Sequence, residues 1–166
     1  MQVRNDGCTV FFSGILNEHV DLNNTEAVLH AAQQALTDQQ PRVCLDLSQV
    51  SRANSSGLLQ WLRLMKKTHI PLCYVRTPVW LVEQFNMIDE FFDGDVSVES
   101  IYAHFYSPEN DTSETRLLNL GTDVPILENY RNYSATSEDS KLEPDFDERS
   151  YFHFISRHLY KATQSK

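Results

Sequence analysis

The 166-residue sequence is poor in glycine: Gly7, Gly14, Gly57, Gly94 and Gly121 are all it has. Neither GxxxxGK[ST] nor GxGxxG occurs, which excludes the two common glycine-rich phosphate cradles and gives no reason to expect a cofactor. Cysteine is scarce as well. Cys8, Cys44 and Cys73 lie far apart beside apolar neighbours, and no CxxC or CxH is present. They read as reduced core thiols, with no metal site. No apolar run approaches the roughly 18 residues that a membrane helix needs. Positive charge is short too: 14 Lys and Arg stand against 23 Asp and Glu, and the net charge of −9 opposes attraction to nucleic acid. Met1 to Cys8 hold Arg4, Asn5 and Asp6 instead of an apolar export segment, so the expected location is cytoplasmic.

What is present reads as alternating strands and helices. Thr9 to Phe12 is β-branched and aromatic, and Asn5-Asp6-Gly7 before it is a turn that joins it to a short strand at Gln2 to Arg4. From Thr25, Val28, Ala31, Ala32, Ala35 and Leu36 fall at helical spacing until Pro41 stops them. Val43 to Leu47 is an apolar strand, Leu58 to Lys67 a helix, Pro71 to Val75 a strand and Pro78 to Met87 a helix. This order predicts an α/β domain over residues 1–95, with a mixed sheet of about four to five strands and helices packed on it. Two further strand-like runs, Val96 to Tyr106 and Thr115 to Leu120, predict an appended β-hairpin over 96–125. An acidic loop over 126–148 follows, and the stripe Tyr151, Phe152, Phe154, Ile155 and Leu159 predicts a helix over 149–166 that docks back on the domain.

The most informative stretch runs from Val43 to Leu62. A buried strand passes into a polar loop in which Asn54, Ser55 and Ser56 all suit helix capping, and Gly57 removes side-chain bulk where the helix begins. Such a place tolerates negative charge, because free N–H groups and the helix dipole face it. A phosphate on Ser56 fits there, with Arg52 as a nearby partner. From spacing alone, plain capping is the simpler role for the same side chains.

Leu45-Asp46-Leu47-Ser48-Gln49-Val50, followed by Asn54-Ser55-Ser56-Gly57-Leu58, resembles the signature of the STAS domains, the family of bacterial anti-sigma-factor antagonists. Val10-Phe11-Phe12-Ser13-Gly14-Ile15-Leu16 is similar to the family's second strand and turn, and Ile70 to Val75 with Pro78 to Ile88 to its next strand and helix. The resemblance covers residues 1–95. It implies a STAS-like fold and a binding protein without catalysis. Its partner would be an anti-sigma factor that is also a serine kinase, and unphosphorylated antagonist would sequester it. By position, Ser56 is the implied phosphoacceptor, with Ser55 the second choice. Arg52, Asn54, Ser55, Ser56, Gly57, Gln60 and Arg63 form the implied partner-binding patch. The alternative within the family is an accessory subunit contacting the ATPase of a lipid ABC transporter. Two features depart from the family pattern: Asn54 stands where Asp is usual, and the minimal antagonists lack the extension after residue 95.

Nothing else in the sequence carries chemistry. The six histidines share no ligand spacing, and Asp46 at a strand end has no nucleophile in a triad order. The charge is uneven, however. Between Asp46 and Glu83 there is no acidic residue, and Arg52, Arg63, Lys66, Lys67 and Arg76 make that stretch basic, which marks a candidate face for an acidic partner.

Overall fold

The computed structural model describes residues 1–124 and 142–159. The chain is mixed α/β, built on a five-stranded sheet in the order β1-β2-β3-β4-β5. Strand β1 (Gln2–Asp6) and β2 (Thr9–Leu16) form the expected antiparallel hairpin. Strands β3 (Val43–Ala53), β4 (Leu72–Val75) and β5 (Val96–Val98) then add in parallel. Parallel neighbours need crossovers, and three helices supply them: α1 (Leu22–Gln33), α2 (Ser55–Thr68) and α3 (Val79–Met87), the last followed by a 3-10 turn at Asp89–Phe92.

The run from Val43 to Leu47 is buried without alternation, as a central parallel strand covered on both faces must be. On one face, Leu45 stands in register with Tyr74. Tyr74 meets Phe85 of α3 edge-on at 5.0 Å and accepts a 3.3 Å hydrogen bond from Trp61 Nε1 of α2, while Trp61 meets Phe12 at 5.0 Å. This aromatic chain ties β2, β4, α2 and α3 together. Cys44, Asp46 and Cys73 point to the other face, because side chains alternate along a strand.

Strand β3 runs six residues beyond the expected Leu47. The Ser48–Ala53 stretch reads as a polar loop, but β2 remains alongside it as far as Leu16, which pairs with Ala53. Strand β4 has already ended opposite Asp46, so this arm is paired on one side only and its polar side chains reach solvent.

The sheet also continues past residue 95, since Val96–Val98 is its fifth strand. One residue later the chain begins a second sheet, ordered β7-β6-β8, from β6 (Ser100–Ser107), β7 (Thr112–Asn119) and β8 (Glu143–Pro144). Strands β6 and β7 form an antiparallel hairpin, the first starting later and the second earlier than the strand runs read from the sequence. It is continuous with the first sheet. Tyr74 O accepts from Glu99 N at 2.9 Å and Thr77 O from Tyr102 N at 2.8 Å. Of the acidic loop, residues 126–141 lie outside the described residues.

The described part of the C-terminal apolar stripe packs on α3 and the turn after it, but not as one continuous helix. A single turn, α4 (Glu148–Tyr151), gives way to a π-helical segment at Ile155–Leu159, and the rest of the expected helix lies outside the described residues. Asn86 of α3 causes the break. Its Nδ2 donates to Tyr151 O at 3.0 Å and its Oδ1 accepts from Phe154 N at 2.8 Å, so Ile155 N turns to Phe152 O instead of Tyr151 O. Phe154 packs on Phe85 and Phe92, and His158 stacks on Phe92 at 4.3 Å.

Asp46 is almost fully buried on β3, only 2% exposed, and its carboxylate pairs with the Arg76 guanidinium. Its other oxygen accepts from Ser48 N at 3.0 Å. Arg76 holds a left-handed backbone (φ 49°) just past β4, where its own N–H donates to Ser100 Oγ at 2.9 Å. Asp46 thereby ties the residue just past β4 to β3. Removing one partner from a fully buried pair costs about 3–5 kcal/mol, but Arg76 is half exposed. Arg76→Ala is accordingly expected to lower the unfolding free energy by about 2–3 kcal/mol. Adding Asp46→Asn should recover most of that loss in urea denaturation.

Candidate functional site

The polar cluster chosen from the sequence gathers where β3 hands over to α2. Arg52 is exposed near the end of β3, in register with Ile15. Asn54 then takes an extended backbone and caps α2: its Oδ1 accepts from Gly57 N at 2.8 Å, and its carbonyl accepts the first helical bond, from Leu58 N. The helix begins at Ser55, three residues before the expected Leu58, because Asn54 and not a later serine is the cap. Ser55 and Ser56 are its first two residues, and both are exposed. Their main-chain amides make no hydrogen bond among the described residues. Two free N–H groups therefore sit at the positive end of the helix dipole beside two free hydroxyls.

Gly57 is buried, and its role is close approach. A Cβ there would stand 2.3 Å from Leu16 O and 2.6 Å from Asn17 N, so α2 rests directly on the main chain after β2. Asn54 N adds a 3.1 Å bond to the same Leu16 carbonyl. This contact fixes both where α2 starts and which way its first turn faces.

Helical spacing places Ser56, Gln60 and Arg63 on one outward stripe. Gln60 is half-buried, its Nε2 3.5 Å from Glu18 O, and Arg63 is exposed. Leu59, 49% exposed, lies beside that stripe on the Arg63 side. An apolar side chain on that face was not singled out from the sequence, yet it stands two residues from Trp61 and thus nearly opposite the buried stripe of Trp61 and Leu64.

Glu18 is the second residue that local spacing misses. From the loop after β2 it accepts a 2.7 Å hydrogen bond from Asn54 Nδ2, and that bond holds the Glu18 carboxyl below its ordinary pKa. An amide is what this position needs, since it accepts from Gly57 with one end and donates to a carboxylate with the other. An Asp would keep the cap and set two carboxylates against each other. Asn in place of Asp at position 54 is thus explained locally.

The basic stretch divides on inspection. Lys66 pairs with Asp93 at 3.3 Å, Lys67 with Glu26 at 2.7 Å and Arg76 with Asp46. Arg52 and Arg63 pair with no acid among the described residues. The positive surface therefore narrows to these two arginines, one on each side of Ser56 along the chain.

No protein-family model, no curated protein and no solved structure matches the chain. Among the described residues, no group of three His, Cys, Asp or Glu side chains comes close enough to hold a metal ion, and no helix is long and apolar enough to cross a membrane.

Two substitutions test the local geometry. Ala is a better helix former than Gly by about 1 kcal/mol, yet Gly57→Ala is expected to destabilise by about 1–3 kcal/mol in urea denaturation, because its Cβ meets main-chain atoms. Asn54→Ala should cost about 1 kcal/mol through the lost cap. It should also raise the Glu18 pKa toward its ordinary value in an NMR titration. A depressed folded-state pKa contributes stability above the ordinary carboxylate pKa and loses it as pH falls through the depressed value. That acid-side dependence should weaken in the variant.

Proposed function

We propose that the chain is a non-catalytic, STAS-like regulatory protein that docks a protein partner through the start of α2 and is released by phosphorylation of Ser56. The partner in this reading is an anti-sigma factor with serine kinase activity, met in the cytoplasm. The observation that carries it is the exposed Ser56 hydroxyl on the second residue of α2, beside amides and flanked in sequence by Arg52 and Arg63, none of which has a partner among the described residues. The order of strands and helices around it, the residues from Leu45 to Leu58 that resemble the STAS signature, and the close approach at Gly57 support the same reading.

The chemistry of the switch is charge. A phosphate adds about −1.5 to −2 charge units, and the dipole and free amides offset it by about 0.3–1 kcal/mol while it is solvated. Phosphorylation therefore leaves the free protein folded. Against a docked partner the same phosphate must be desolvated, and it neutralises Arg52 and Arg63, which otherwise draw an acidic surface. Leu59 supplies the apolar contact on the Arg63 side of the patch, with Gln60 at its edge. Ser55, one residue earlier, points about 100° away around the helix and is the weaker candidate.

Wild-type chain and the Ser56→Ala and Ser56→Asp variants, used as baits in cells that make the protein, should separate. Wild type and Ser56→Ala are expected to hold a serine kinase of the anti-sigma type. Ser56→Asp should bind the purified kinase about ten-fold or more weakly, a change of about 1.4 kcal/mol. Equal affinity for all three overturns the switch. Capture of a membrane transporter's ATPase in place of a kinase moves the chain to the accessory-subunit role.

A further inference from the structure

The thiols of Cys44 and Cys73 are in a place that the docking role does not use. They are directly opposed on the parallel strands β3 and β4, both on the sheet face turned away from α2 and α3. Each residue is 8% exposed, and both line a cleft of about 430 Å3 together with Gln40, Arg42, Ser97, Glu99 and Leu120. Adjacent strands lie about 4.7–4.9 Å apart, within the roughly 4.4–6.8 Å between Cα atoms that a disulfide spans. Both thiols are free.

We propose that Cys44 and Cys73 are a dithiol modification site that exchanges with low-molecular-weight disulfides, Cys44 attacking and Cys73 resolving. Gln40 Nε2 donates to Cys44 Sγ at 3.2 Å, an interaction that favours the thiolate. The adjacent Cys73 thiol first, and the Gln40 amide after it, hold the Cys44 pKa below its ordinary value against burial and the nearby Glu99, while the Cys73 thiol donates to Tyr74 O at 3.9 Å. Cys44 beside it, and then burial, raise the Cys73 pKa, which keeps the proton on Cys73. The pair is thus divided into a nucleophile and a proton-bearing second thiol.

The exchange balances in two steps. The Cys44 thiolate attacks a disulfide RSSR, forming Cys44–S–SR and releasing RS⁻. Cys73, giving up its proton, then attacks the Cys44 sulfur, forming the Cys44–Cys73 disulfide and releasing RSH. Two protein thiols are oxidised and one RSSR is reduced to two thiols, and excess RSH reverses both steps. The product would clamp β3 to β4 at the end of β3 away from Ser56, about 30 Å along the strand.

Cys8 is an internal control. Its carbonyl accepts from Cys44 N at 2.9 Å, but it sits in the turn before β2 and is not opposed to either thiol across a strand pair. Folded full-length chain is incubated with glutathione disulfide, quenched by alkylation and mapped by mass spectrometry. Wild type should lose two hydrogens in a Cys44–Cys73 disulfide. Cys73→Ser should stop at one stable glutathione adduct on Cys44. In brief alkylation of the reduced wild type, Cys44 should react about ten-fold or more faster than Cys73. The wild-type product decides even if the variant folds poorly. Glutathione on Cys8 alone, with Cys44 and Cys73 still open to alkylation after unfolding, overturns the proposal, and so does Cys73 reacting as fast as Cys44.

Discussion

The first turn of α2 lies on the main chain of Leu16 and Asn17 with no space for even one side-chain carbon. Much else follows from that contact. It holds the loop after β2 against the helix, so that Glu18 reaches Asn54 and Gln60 reaches back to Glu18. It keeps β2 alongside β3 as far as Ala53 and sets the start of α2 immediately after the strand. With the helix placed, Trp61 falls between Phe12 and Tyr74, and the outward stripe of Ser56, Gln60 and Arg63 is left in solvent. Gly57 is therefore required for reach and packing, not for an unusual backbone angle.

The electrostatics of this corner are local, although the chain as a whole is acidic. Three of the five basic residues between Asp46 and Glu83 are engaged in ion pairs, and Arg52 and Arg63 are the two that pair with no acid among the described residues. Surface pairs such as Lys66–Asp93 contribute little to stability, on the order of 0–1 kcal/mol. They do remove positive charge from the face that a partner would meet. Asn54 works on the same scale, joining the cap of α2 to the carboxylate of Glu18 without adding charge beside the serines.

Where neighbours in sequence are also neighbours in space, the sequence is enough to read. The β1–β2 hairpin, the amphipathic helices and the cluster from Arg52 to Arg63 follow from alternation, helical spacing and turn residues. Elements sustained by distant partners are harder to see. The polar arm Ser48–Ala53 is a strand because β2 pairs with it, and Val96–Val98, which reads as the start of one strand to Tyr106, becomes a separate strand of the first sheet because it pairs with β4. The C-terminal stripe shows its burial in its spacing, but the break in its helix comes from Asn86, more than sixty residues away. Glu18 and the facing thiols Cys44 and Cys73 come into view only with strand register and loop contact.

The central claim is that the exposed serine at the start of α2 is a phosphorylation switch. The most direct measurement is the intact mass of the chain isolated from its own cells in several growth states, with the modified residue mapped. The account predicts a single phosphate on Ser56, its occupancy changing between states. Chain that carries no phosphate in any state, or a phosphate mapped to another residue, contradicts it.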